Sequence, residues 1–248
     1  MTKVLSALYL LYAGLVFIGL MFIALPFVLL VTTFFNPLTG KRAGLFFLRC
    51  WAWGFSLLTF YWVRTKNVEN INLKTPHIYV GNHGSYLDAI AVCISVPQSF
   101  SALGKIEMAK VPVFGWIYKR IVVMIDRSSK ESREQSVLSL KEEINKGQSI
   151  LLFPEGTMNK TEAVLSDFYD GAFRIAIETQ TAIQPFVILN NRKLLSRVNP
   201  LTAHPGILTT IFLPAVAVTE FGINDVELLK RKVYRMMEEA LMSAEREV

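Results

Sequence analysis

Two regimes of hydrophobic patterning divide the chain. Residues 4–35 contain no charged side chain, and a second apolar stretch over 43–63 is interrupted only by Arg49. At about 1.5 Å per helical residue, roughly twenty residues reach across a hydrocarbon core, so either stretch is long enough. The intervening Asn36-Pro37-Leu38-Thr39-Gly40-Lys41-Arg42 predicts a turn, because Asn-Pro starts turns and Gly punctuates them. After Val68 short apolar runs alternate with longer amphipathic ones, the signature of an α/β domain. The pattern predicts strands over 77–81, 100–104, 121–125, 149–153, 182–189 and 208–213, and helices over 86–95, 113–120, 130–146, 171–178 and 225–245. The helix over 130–146 shows its buried stripe in Val137, Leu140 and Ile144, with Gly147 as its cap. The last helix repeats the device with Val226, Leu229, Val233, Met236 and Leu241. Two domains are expected: hydrophobic membrane-anchoring helices over 1–66 and the α/β domain over 67–248.

A secretory signal has an apolar core of about 7–15 residues followed by a cleavage site, so residues 4–35 read as a retained helix. Of 248 residues 52% are hydrophobic and mean hydropathy is +0.38, above what a soluble domain needs. Charge obeys the same division. Residues 1–68 hold Lys3, Lys41, Arg42, Arg49, Arg64 and Lys66 and no acid; the other 20 basic residues are balanced by 20 acidic ones, so the whole net charge of +6 sits on the apolar end. Basic residues flanking apolar helices suit anionic membrane lipids, whereas nucleic-acid binding needs a basic face on the folded domain. The expected setting is the inner or plasma membrane, with the catalytic domain on the cytoplasmic side and no nucleic-acid partner. A two-pass hairpin would carry Lys41 and Arg42 to the opposite side, against the positive-inside tendency. A monotopic helix pair dipping into one leaflet, or one span followed by an interfacial helix, avoids that conflict. Cys50 and Cys93 form no metal spacing or disulfide framework and read as buried thiols.

Candidate chemistry gathers at the ends of predicted strands, where open α/β sheets bind ligands. His83 follows the first, Lys105 the second, Asp126-Arg127 the third and Glu155-Gly156-Thr157 the fourth. In Asn82-His83-Gly84-Ser85-Tyr86-Leu87-Asp88 a continuous helix would set histidine and aspartate about 140° apart. With His83 in the loop leaving the strand and Asp88 in the first helical turn, the two side chains converge. A carboxylate on one ring nitrogen fixes the tautomer and leaves the other nitrogen to accept a proton, with the substrate's own hydroxyl as nucleophile. Ser85 followed by Asp88 is also a capping-box-like helix start, and the block alone leaves both readings open. Glu155 follows Ile150-Leu151-Leu152-Phe153-Pro154, where an acid needs a specific partner; a substrate hydroxyl, backbone amides or a plain strand-end cap all qualify. Gly156 allows close backbone approach. Arg127 and Lys105 offer donors to an anionic group, or are two surface cations. Backbone amides at the start of the following helix are expected to stabilise an oxyanion.

Taken together, the Asn82-to-Asp88 block, Ile125-Asp126-Arg127, Phe153-Pro154-Glu155-Gly156-Thr157 and the proline-bearing Ile183-Gln184-Pro185-Phe186-Val187 resemble the glycerolipid acyltransferase family, which includes the 1-acylglycerol-3-phosphate acyltransferases. The resemblance covers about residues 65–215. It implies an α/β fold with a mixed central sheet flanked by helices. It also implies transfer of a fatty acyl group from acyl-CoA or acyl carrier protein to the free hydroxyl of a lysolipid acceptor, 1-acyl-sn-glycerol-3-phosphate giving phosphatidate, with no metal and no cofactor beyond that co-substrate. The catalytic pair maps onto His83 and Asp88, and acceptor binding onto Lys105, Arg127, Glu155, Gly156 and Thr157. The two-helix amino-terminal membrane motif of bacterial relatives resembles residues 4–63.

The chain departs from the pattern in two places. Arginine usually follows Glu-Gly-Thr, where this chain has Met158, and a basic residue often precedes Gly-Ala, where this chain has Asp170. Losing a phosphate-binding cation costs about a few kcal/mol when the remaining charge is poorly paired. Lys160 is a candidate substitute; a lysolipid without terminal phosphate, such as an acylated amino acid, is the alternative acceptor. Among rival functions, Ser85 as a covalent nucleophile lacks a nucleophile-elbow pattern. A metal-dependent hydrolase would have to use His77, His83 and His204, which make no i, i+4 pair. A non-catalytic membrane lipid-binding protein of the same fold is the third.

Overall fold

A computed structural model describes residues 2–246. Helix α1 (Lys3–Phe34) starts at Thr2, whose hydroxyl accepts from the Leu5 N–H, and runs for 32 residues, about 48 Å. Asn36 caps α2 (Pro37–Thr59), accepting from the Thr39 N–H at 3.0 Å, with Pro37 in the first turn where its missing N–H leaves no bond unmade. The two helices pack as an antiparallel hairpin, Trp51 meeting Phe17 edge-on at 5.0 Å. The second apolar stretch does not stay helical to Val63. Phe60 turns into the left-handed region at φ 58°, and Tyr61–Lys66 becomes strand β1. Tyr61, Trp62, Val63 and Thr65 are aromatic and β-branched strand formers whose signal the surrounding apolar run masked. Among the described residues only α1 is a helix long and apolar enough to cross a membrane.

The remaining strands are β2 (Ile78–Gly81), β3 (Phe100–Lys105), β4 (Val123–Ile125), β5 (Ser149–Leu152), β6 (Ile183–Leu189) and β7 (Gly206–Phe212). They join β1 in one seven-stranded sheet of order β1-β7-β6-β2-β5-β3-β4. All neighbours run parallel except β6 and β7, so the sheet is mixed, as expected. Helices α3 (Leu87–Ser95), α4 (Phe114–Ile121), α5 (Lys130–Asn145), α6 (Gly171–Thr179) and α8 (Val226–Arg246) fall where the periodicity predicts them, and a short α7 (Asn191–Leu194) follows β6. Ile121 and Val122, read as strand, instead finish and cap α4. The expected domain boundary at residue 66 coincides with the end of β1, itself a member of the sheet.

Period-two alternation builds a core on each face of the sheet. Ile78, Val80, Ile150, Leu152, Ile183 and Val187 face α5, α6 and α8; Tyr79, Leu151, Phe186 and Ile188 face the hairpin, α3 and α4. In α8 the fully buried member is Met237, not Met236, because the stripe advances by i+4 after Val233. Cys50 is exposed, not buried, and Cys93 is half-buried. Cys50 shares the outward face of α2 with Phe46, Trp53 and Leu57, which are likewise exposed.

The hairpin lies along the sheet layer and is tied to it repeatedly. At its tip Lys41 Nζ meets Glu143 Oε1 of α5 at 2.7 Å, while Ser101 donates to the other oxygen at 2.6 Å. Midway, Arg49 donates to the carbonyls of Val96, Pro97 and Gln98 at 2.7, 3.0 and 2.7 Å, the cap residue of α3 and the two residues after it. At the open end α2 feeds directly into β1, and Tyr9 of α1 packs edge-on against Tyr61 of β1 at 5.6 Å. Leu8, Leu11, Leu15, Ile18 and Phe22 of α1 remain exposed on the opposite side.

Candidate active site

The carboxyl ends of β2, β5, β3 and β4 deliver the expected residues to one sheet edge, in that spatial order. β2 ends at Gly81, and Asn82 extends its pairing with β6: its side chain accepts from the Ile188 N–H at 2.7 Å and donates to the Ile188 carbonyl at 3.1 Å. His83 then leaves the sheet and Asp88 returns in the first turn of α3. Their side chains converge, His83 Nδ1 lying 2.8 Å from Asp88 Oδ2. The imidazole is 20% exposed while the carboxylate is fully buried, so the ring reaches solvent and its partner does not. Phe153 stacks on the ring at 4.3 Å between centroids and holds its plane.

Asp88 is also the cap that the sequence suggested. Its Oδ2 accepts from the Gly84 and Ser85 N–H groups at 2.8 and 2.9 Å, and Leu87 N–H donates to Ser85 Oγ at 3.2 Å. The contacts that both readings require therefore coexist, one carboxylate closing the helix start and gripping the imidazole. This corrects the expectation for the oxyanion: the amides of Gly84, Ser85 and Leu87 point inward to side chains of their own loop. Ser85 is fully buried and donates to the Leu195 carbonyl at 2.8 Å, which removes it as a covalent nucleophile. The other oxygen, Oδ1 of Asp88, accepts from Asn191 Nδ2 at 2.6 Å.

Asn191 is the site residue that the sequence reading missed. It is buried at the start of α7, placed there by the left-handed Asn190 at φ 64°. The available signal was two polar residues directly after β6, a strand parallel to β2 and so ending on the same edge. Next to it, Arg192 packs its stem over the His83 loop, where a Cβ on Gly84 would lie 2.6 Å from Arg192 Cγ. Its guanidinium donates to the Ala163 and Thr161 carbonyls, fastening the loop that follows Thr157.

Glu155 is 3% exposed and commits both oxygens to the chain: Oε1 accepts from His83 N–H at 2.6 Å and Oε2 from Ser166 N–H at 2.8 Å. Burial raises its carboxyl above the ordinary range, only partly offset by those hydrogen bonds. Gly156 sits at φ 71°, a conformation suited to glycine, and its carbonyl accepts from Arg127. Asn159 N–H donates to the His83 carbonyl at 2.7 Å, closing the turn back on the histidine. Thr157 is exposed on that turn. Lys105 is exposed at the end of β3, in register with Ile125 and thus two positions from Arg127, but separated from the His83 strand by β5. The structure thus brings together His83, Asp88 and Glu155, and separately Arg127 and Gly156, with Lys105 flanking.

A model of the acyltransferase family matches residues 45–189. The chloroplastic 1-acyl-sn-glycerol-3-phosphate acyltransferase LPAT1 of Arabidopsis thaliana is 33% identical over 152 residues, 60% of this chain and 42% of that protein. The 1-acyl-sn-glycerol-3-phosphate acyltransferase of Salmonella typhimurium is 29% identical over 175 residues, 69% of each. The chain thus spans less than half the length of the chloroplast relative and about two thirds of the bacterial one. Among solved structures, the 1-acyl-sn-glycerophosphate acyltransferase PlsC from Thermotoga maritima shares the fold, with a TM-score of 0.78 over 98% of both chains at 20% identity. The sheet order, the histidine–aspartate loop at its carboxyl edge and the matched 145 residues of 248 lead to one assignment: this chain belongs to the acyltransferase family.

Proposed function

We propose that this enzyme acylates the free hydroxyl of 1-acyl-sn-glycerol-3-phosphate from an acyl thioester, giving phosphatidate at a membrane surface. The observation that carries the reading is the 2.8 Å contact between a half-buried imidazole and a fully buried carboxylate. Asp88 holds Nδ1, so Nε2 of His83 takes the acceptor's hydroxyl proton as that oxygen attacks the thioester carbonyl. The tetrahedral intermediate then collapses, the carbon–sulfur bond breaks, and the thiolate recovers the proton from the imidazolium. No acyl-enzyme forms. Acyl-CoA and acyl carrier protein are both donors of the required chemistry.

In this reading Glu155 positions His83 through its backbone instead of meeting the acceptor. Arg127, Gly156, Thr157 and Lys105 form the acceptor side, Arg127 and Lys105 supplying charge to the phosphate. Met158 supplies none, and this favours a second acceptor class, a lysolipid without terminal phosphate. Residues 1–66 act as the anchor: because both ends of the hairpin are tied to the sheet layer, its exposed apolar stripe enters one leaflet lengthwise. That arrangement keeps Lys41 on the same side as the catalytic layer and is compatible with a cytoplasmic catalytic face.

The test is to incubate purified enzyme with labelled acyl thioester and a panel of lysolipids with and without phosphate. Phosphatidate is expected as the main product, and His83→Ala is expected to abolish it while leaving the folded state intact. Turnover of phosphate-free lysolipids alone would transfer the assignment to the second class. A His83→Ala protein with full activity would end the mechanism.

A further inference from the structure

Strand β3 leaves the site edge at Lys105 and enters the 3-10 turn Ile106–Lys110 before α4 begins. Val113 stands between them at φ 64° and ψ −60°, with the Phe114 N–H donating to the Pro112 carbonyl at 2.7 Å. A β-branched residue rarely adopts that three-residue turn, so packing beyond it has to hold it there. The turn buries Gly115, Ile117 and Ile121 and leaves Trp116 outward, 56% exposed, together with exposed Ile106 and Val111. Around these lie Lys105, Lys110, Lys119 and Arg120, all exposed, against a single acid, Glu107. Among the described residues none of the four cations makes an ion pair within 4.0 Å. Helix α4 also packs on the hairpin: Phe114 approaches Phe17 at 6.5 Å, and Ile121 fills the space where a Gly44 Cβ would stand.

We propose that the segment 105–120 is a second membrane-docking surface, a basic and aromatic patch that seats on the headgroups of an anionic bilayer beside the hairpin. The proposal rests on the lengthwise insertion of the hairpin inferred above. Charge complementarity names the occupant: four unpaired cations suit an anionic surface, and the apolar body of Trp116 with its polar N–H suits the headgroup level. A soluble acidic protein would satisfy the cations but leave Trp116, Ile106 and Val111 with less to bury. Lys105 lies both in this patch and on the acceptor side of the site, so docking brings headgroups to the place where the acceptor's phosphate is read.

The experiment is co-sedimentation of the full chain with vesicles of phosphatidylcholine alone and of phosphatidylcholine mixed with phosphatidylglycerol. One variant carries Lys119→Ser and Arg120→Ser, a second Trp116→Ser, and a third, on the hairpin stripe, Phe22→Ser and Ile23→Ser. Each cation near an anionic surface strengthens binding roughly fivefold, so the double cation variant is expected to bind mixed vesicles about 10- to 30-fold more weakly, with a flatter salt dependence. Its binding to phosphatidylcholine and its turnover of micelle-dispersed acceptor stay unchanged. Trp116→Ser is expected to weaken binding to both vesicles modestly. Wild-type affinity of the cation variant for mixed vesicles overturns the proposal, as does polyglutamate competing for the patch as strongly as the vesicles do. Failure of the hairpin reading has its own signature, undiminished binding of the third variant to phosphatidylcholine.

Discussion

Asp88→Asn separates charge from shape at the centre of the site. Oδ2 of Asp88 faces two backbone donors, the N–H groups of Gly84 and Ser85 at 2.8 and 2.9 Å, as well as His83 Nδ1 at 2.8 Å. Oδ1 faces one side-chain donor, Asn191 Nδ2, at 2.6 Å. The substituted amide can put its oxygen in only one of these places. Its nitrogen at the Oδ2 position would confront two amides that cannot turn; at the Oδ1 position it confronts one amide that can, with loss of the 2.8 Å bond from Arg192 N–H to Asn191 Oδ1. The oxygen is therefore expected to stay toward His83 and preserve its tautomer. In a serine-protease triad the same exchange leaves the wrong tautomer and costs about 10⁴ in rate. Here the loss reduces to charge. Opposite unit charges about 4 Å apart at an effective dielectric near 20 attract by roughly 4 kcal/mol, and a neutral hydrogen bond recovers about 1 kcal/mol of it. The expected fall in kcat/KM is about 10²-fold, measured by thiol release with acyl-CoA and acceptor in mixed micelles alongside thermal unfolding. Activity within about threefold of wild type would reduce Asp88 to a helix cap, and a loss as complete as that of His83→Ala would refute the argument about amide orientation.

Three further outcomes are expected. Asn191→Ala leaves Asp88 Oδ1 buried without its side-chain donor, and should lower stability by about 1–3 kcal/mol with kcat/KM falling more than KM rises; unchanged turnover would free Asp88 from this support. Gly156→Ala forces a side chain at φ 71° to within 2.6 Å of Tyr169, with an expected cost of about 1–2 kcal/mol and weaker acceptor binding, read from unfolding and KM. For Glu143, burial raises the carboxyl, but hydrogen bonds from Lys41 and Ser101 and the charge of Lys41 outweigh it and hold the group below its ordinary range. A carboxyl depressed on folding gives stability that is present above its unfolded value and lost as pH falls through the folded one. Glu143→Gln should therefore destabilise by about 0.5–1.5 kcal/mol at neutral pH, and the difference from wild type should shrink as pH falls below the ordinary glutamate value of about 4.3 and be gone only below the depressed folded one; a constant difference across pH would refute it.

Periodicity made most of the α/β domain legible, because strands buried on both faces and helices with one buried stripe leave different repeats in the sequence. Tyr61–Lys66 escaped because a strand that continues directly from the apolar end of α2 has no polar boundary to announce it. Spacing showed that His83 and Asp88 can meet only in a loop-to-helix geometry, but the block alone left pairing and helix capping open, because one carboxylate serves both contacts. Asn191 was not legible, because it reaches Asp88 across 103 positions from a strand on the other side of β2, a contact that only the sheet order creates. Glu155 shows a subtler limit. Its poor solvation was legible, but the partners that relieve it are the main-chain amides of His83 and Ser166, which carry no side-chain signature.

The three carbonyls gripped by Arg49, those of Val96, Pro97 and Gln98, come directly after the short rod whose near end carries Asp88. Nine residues of helix, about 13 Å, and the short segment that follows them join the hairpin's Arg49 to the His83–Asp88 pair. A detergent or bilayer that slides α2 along its axis would pull on the same lever that aims the imidazole, so the choice of solubilising medium is itself a perturbation of the chemistry.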